Sequence, residues 1–287
     1  MTKVISNKRV FISFLISLSF LIPVTGWSSP ISIGGTVLEI PNPPGFAAVT
    51  PQMTTLFRLE QQFVAPSNEH FISYIAESEI PKSLNDELPE LGRRFSVQTA
   101  KELIGVSVSK SYFSKLKQIM KAQNDELFKK VEKTLPGLLE NVNKGITKQF
   151  GMDPALSISQ VVPLPPHEET DRTLAYSLFA KVGVRDEAGN PTSEVCAGTV
   201  TLVHVKGKVL FLYSYAEESG LAWSRGISKQ WADSVVSANP SDLQSSIKES
   251  HRFAGPLERI AAMFIVGAMF GLLSWLLGWA WRRGKSS

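Results

Sequence analysis

The stretch from Ile260 to Trp281, IAAMFIVGAMFGLLSWLLGWAW, constrains this chain more than any other. Its 22 residues carry no charge, and Arg282, Arg283 and Lys285 follow directly. As a helix rising about 1.5 Å per residue it reaches roughly 33 Å, close to the hydrocarbon thickness of a bilayer. It therefore predicts a transmembrane helix over 260–281, a basic cytoplasmic tail over 282–287 and a polar juxtamembrane linker over 239–259. Gly267, Gly271, Ser274 and Gly278 recur at steps of 4, 3 and 4. All four fall within about 60° around the helix, the kind of stripe that lets two backbones approach closely in a membrane. Association through this stripe, with a second copy or a partner span, stands beside a featureless anchor.

The other end agrees on orientation. Lys3, Lys8 and Arg9 precede an apolar run, Val10 to Val24, and Gly26 and Ser28 offer the −3 and −1 positions of a cut after Ser28. Residues 1–28 read as an export signal, cleaved or retained as an anchor. The Lys and Arg residues at the two ends place both ends in the cytoplasm and the middle outside. The expectation is a single-pass protein of a bacterial inner membrane with an extracytoplasmic, periplasmic main domain and the lipid bilayer as a partner. All 26 Asp and Glu residues lie between the two apolar segments, so the net charge of +4 belongs to the flanks. A nucleic-acid partner is excluded on that ground.

Between the ends, residues 31–238 read as one α+β domain. ISIGGTVLEI (31–40) is β-like and is followed by the turn Pro41 to Gly45. A helix after Pro51 uses Leu56, Leu59 and Phe63. Residues 70–76 and 93–100 read as strands around an acidic loop. Over 109–150, Phe113, Leu116, Met120, Leu127, Val131, Leu135, Leu138, Val142 and Ile146 keep one helical stripe, with Ser109 as N-cap and a kink or split at Pro136-Gly137. Nine Lys stand against four acids there, a basic face for an acidic or lipid partner, or simply a solvated one. Strands at 173–184, 195–205 and 208–215 follow, the last two joined at Lys206-Gly207-Lys208. VLFLY (209–213) is apolar at every position, which places it centrally and asks for helices on both faces of a largely antiparallel sheet. Residues 221–238 supply a second helix, with Trp223 and Trp231 as core.

No chemistry is legible. The lone Cys196 excludes an internal disulfide and reads as a small buried residue. His70, His167, His204 and His251 share no metal-ligand spacing, and no metal or cofactor is expected. Ser-x-x-Lys at Ser107, Ser114 and Ser245 lacks the companion elements of acyl enzymes. Asn190-Pro-Thr and Asn239-Pro-Ser cannot accept a glycan.

The strand running into Ile40-Pro-Asn-Pro-Pro-Gly-Phe46, the helices after it and the LVHVKGKVLFLYSY hairpin resemble the PsbP/Mog1-type α/β/α sandwich and single-span bacterial envelope proteins that share it. The resemblance spans about residues 31–238 and implies an accessory or binding module rather than an enzyme. Three functions follow as expectations: a membrane-anchored, non-catalytic binding module, a subunit that assembles a membrane complex through its span, and a hydrolase built around the acidic 77–90 loop.

Overall fold

The computed structural model describes residues 28–151, 153, 155–185, 189–240 and 256–285. The expected export signal and Lys3, Lys8 and Arg9 lie outside them, apart from Ser28, which opens the first strand. The fold is α+β.

Gly34 and Gly35, both at positive φ, turn β1 (Ser28–Ile33) back into β2 (Thr36–Pro41) as a separate hairpin. The main sheet has eight strands, all paired antiparallel. Along it run β3 (Phe46–Ala48), β4 (Asn68–Ala76), β5 (Arg94–Ala100), β10 (Lys208–Glu217), β9 (Pro191–Val205), β8 (Thr173–Arg185) and β6 (Ser157–Pro163), with β7 (Glu168–Glu169) also beside β8. The turn between β9 and β10 holds Lys206 and Gly207 at φ 46° and 73°, pairing Val205 with Lys208. β10 is buried along nearly its whole length, as its unbroken apolar run requires.

The helices are α1 (Thr54–Gln62), α2 (Ile80–Leu84), α3 (Lys110–Ala122), α4 (Asn124–Phe150), α5 (Leu221–Ala238) and α6 (Leu257–Lys285). Ser109 caps α3 by accepting the Tyr112 N–H at 3.1 Å. The expected split at Pro136-Gly137 is instead at Gln123, and α4 runs unbroken through Pro136. Of the nine lysines on α3 and α4, Lys117 is buried against Glu169, and the other eight are exposed. One sheet face carries α5 and the β1–β2 hairpin over Phe95, Val97, Val203, Leu210 and Leu212. Trp231 is 1 % exposed there and donates its indole N–H to the Pro41 carbonyl.

The other face corrects the membrane reading. Among the described residues no helix is long and apolar enough to cross a membrane. Residues 260–273 of the stretch expected in lipid pack against the protein: α6 lies on the sheet, α3 and α4 cover its outer side, and Ile260, Phe264, Ile265, Ala268, Met269, Leu272 and Leu273 are buried in the shared core. A helix apolar all round needs apolar surroundings on every side, and a protein interior supplies them as well as lipid does. The expected transmembrane helix, single-pass inner-membrane localisation and bilayer partner fall with this packing. Arg282, Arg283 and Lys285, expected as a cytoplasmic tail, continue α6. Asn239, expected to begin a solvated linker, is buried and exchanges hydrogen bonds with the Glu39 backbone.

Candidate functional site

Two places on the sheet gather polar groups against helical backbone. The first is the seat of α6. Register puts Arg94 opposite Tyr215, Ser96 opposite Tyr213 and Gln98 opposite Phe211, all on the α6 face. From this floor four side chains donate to carbonyls on one side of the helix. Asn68 Nδ2 reaches Met263 at 3.3 Å, the Tyr213 hydroxyl Phe264 at 3.1 Å, the Tyr215 hydroxyl Gly267 at 3.5 Å, and Arg94 Nη2 the Gly271 carbonyl. Gly267 and Gly271 make the approach possible, because a Cβ at either would overlap the hydroxyl of Tyr213 or Tyr215. Gly267 and Gly271 thus approach the sheet closely, through Tyr213 and Tyr215. Ser274 and Gly278 lie further along α6.

Arg94 is 2 % exposed and pairs through Nη1 with Glu60 at 2.6 Å. It also stacks over the Tyr215 ring at 4.9 Å. Glu60 accepts the Ser73 hydroxyl at 2.8 Å, and Ser73 meets His70 Nε2 at 2.8 Å. Burial pushes the Tyr213 and Tyr215 hydroxyls far up and draws His70 down. Burial also raises the Cys196 thiol, which points at the Ala180 carbonyl. Of these groups, Arg94, Tyr213 and Tyr215 are buried beneath α6 and, with Asn68, fasten it.

The second place is open to solvent. β6 is an edge strand, and α4 crosses beside it to leave a cleft of about 280 Å³ lined by Glu132, Leu135, Pro136, Leu139, Ile158 and Val161, with Ser159 and Gln160 at its rim. Leu135 and Leu139 are core residues that form an apolar floor. Both walls carry unused backbone valences. Pro136 has no N–H, so the Glu132 carbonyl lacks its helical donor. The Leu164 N–H bonds Ser177 on β8, and antiparallel alternation then turns the N–H and C=O of Val161 outward. No element is expected from the sequence between 150 and 173, where Pro163, Pro165 and Pro166 are loop signals, and so this site was missed. Its signal was weak: Ile158 and Val161 both pack toward α4, but a bulge between Ile158 and Gln160 breaks their alternation.

The acidic 77–90 loop holds no gathered carboxylates. Glu79 accepts the Glu90 N–H at 2.9 Å and pairs with Lys82, closing the loop on itself. Among the described residues no group of His, Cys, Asp or Glu is placed to hold a metal.

No known family model and no curated protein matches this chain. Among solved structures, that of the Ran-binding protein Mog1p from Saccharomyces cerevisiae is similar at 12 % identity and a TM-score of 0.30, over 75 % of this chain and 95 % of that one. The likeness is weak.

Proposed function

We propose that this chain is a binding module that captures an extended segment of another protein and performs no chemistry of its own. The observation that supports this is the cleft between α4 and the edge of β6. An incoming strand satisfies the outward N–H and C=O of Val161 and places alternate side chains over Leu135, Leu139 and Ile158. The volume, about 280 Å³, falls just under the range usual for small-molecule pockets, about 300–1,000 Å³, and suits one or two peptide side chains. The engaged state of Glu60, Arg94, Ser73 and Cys196 supports a structural rather than a catalytic role for the buried polar groups. Assembly through a transmembrane helix is not retained, since it rested on a span that is packed inside the fold.

The test is a phage-displayed library of short linear peptides panned on the purified protein. Enriched sequences should carry apolar residues at alternate positions. Their affinity should fall by about tenfold or more, at least 1.4 kcal/mol, in Val161→Pro, which removes one outward donor. Peptides that bind Val161→Pro and the parent protein equally would overturn the reading.

A further inference from the structure

On the α5 face a different cluster is left unspent. Arg225 Nε donates to the Ser177 hydroxyl at 3.0 Å. Ser177 meets Thr199 at 3.0 Å, Thr199 accepts Ser224 at 2.8 Å, and Ser214 links Ser224 to Ser228 at 2.7 and 2.6 Å. This chain of buried hydroxyls fixes the inner edge of the guanidinium. Among the described residues its two terminal nitrogens have no protein partner.

The segment 164–167 runs beside the same stretch of β8. Its Leu164 N–H bonds the Ser177 carbonyl at 2.8 Å, and its His167 N–H bonds the Ala175 carbonyl at 3.1 Å. His167 Nδ1 is enclosed and has no hydrogen-bond partner. Burial, and then the charge of Arg225, hold the imidazole down to about 4, against a smaller opposing pull from Glu168. Glu168 is engaged elsewhere, with its carboxylate on Lys229 of α5 at 2.7 Å. Arg225 thus sits on Ser177, and His167 lies opposite Ala175, two residues away on the same strand, while the nearby carboxylate is already committed.

We propose that Arg225 and His167 form a binding site for an oxyanion, the carboxylate or phosphate group of a ligand. The planar guanidinium offers two parallel donors to such a group. The charge of the bound anion in turn favours the imidazolium of the neighbouring His167. Binding then takes up a proton, so the site holds anions more tightly as pH falls from the His167 midpoint of the anion-bound protein toward that of the free protein, about 4. The site is independent of the β6 cleft and stands or fails without it.

The experiment is a pH titration of the His167 ring by ¹⁵N NMR on the purified protein, alone, with inorganic phosphate and with acetate. The expected result is a midpoint raised by about one unit or more in the presence of the anion. A response to acetate points to a carboxylate ligand, and a response to phosphate alone to a phosphate ligand. Arg225→Gln should abolish the anion response and, without anion, raise the His167 midpoint, because the Arg225 charge is gone. Arg225→Lys should keep a weaker response. A His167 midpoint that neither anion moves in the folded parent protein, or an equal shift in folded Arg225→Gln, would overturn the proposal.

Discussion

Gly271 and Gly137 show how differently one residue type is used. At Gly271 a Cβ overlaps the Tyr215 hydroxyl, whereas Gly137, on the exposed side of α4, has nothing within 4 Å of a built Cβ. Gly271→Leu should therefore cost about 3 kcal/mol or more, through overpacking and loss of the Arg94 contact. Gly137→Ala should gain about 0.5–1 kcal/mol from helix propensity alone. Urea unfolding of the two variants checks both signs. The Arg94–Glu60 pair makes a second residue-scale prediction. Arg94→Met leaves a carboxylate buried and should cost about 3–5 kcal/mol, and Arg94→Met with Glu60→Leu should recover part of that loss. The spacing of Gly267 and Gly271 was legible as a demand for close approach. What approaches was not, because Tyr213 and Tyr215 lie some fifty residues upstream, in a strand whose apolar run hides its two polar tips.

At the scale of elements, β6 separates structure from function. Its inner edge pairs with β8, and its outer edge carries the proposed peptide. Val161→Pro should leave the unfolding midpoint within about 0.5 kcal/mol of the parent while weakening selected peptides, since an edge strand tolerates proline on its solvent side. A large loss of stability would instead place the Val161 N–H in the β8 ladder. The periodic elements α1, α3, α5, β4, β5, β9 and β10 were readable because their apolar positions recur at helical or strand spacing. β6 was not, since its exposed edge residues show no apolar run and its neighbours Pro163, Pro165 and Pro166 read as loop. The break at Gln123 was equally hidden. Proline at 136 is the stronger local signal, yet Leu135, Leu139 and Val142 pack into the core on either side and carry the helix through it.

For the molecule as a whole, one buried histidine and two half-buried ones shape the response to acid. His70, His167 and His204 all have their pKa lowered, by burial above all, and His167 falls to about 4. Between pH 6.5 and about 4 the unfolded chain binds more protons than the folded one. Stability is thus complete above 6.5 and is lost as pH falls through that window. The urea midpoint should decline over that range, and His167→Gln should flatten part of the decline; a midpoint constant from pH 7 to 4 would contradict it.

The largest misreading was also at this scale. Ile260 to Trp281 is apolar enough to suggest lipid, and only the placement of α3, α4 and the sheet around residues 260–273 shows a protein interior there instead. Amide hydrogen exchange of residues 260–273, in the purified full chain without detergent, tests that placement most directly. The seat of Asn68, Arg94, Tyr213 and Tyr215 predicts protection equal to that of β9 and β10, with release only on global unfolding. Free exchange across 260–273 while β9 and β10 stay protected would show that the helix is not part of the core.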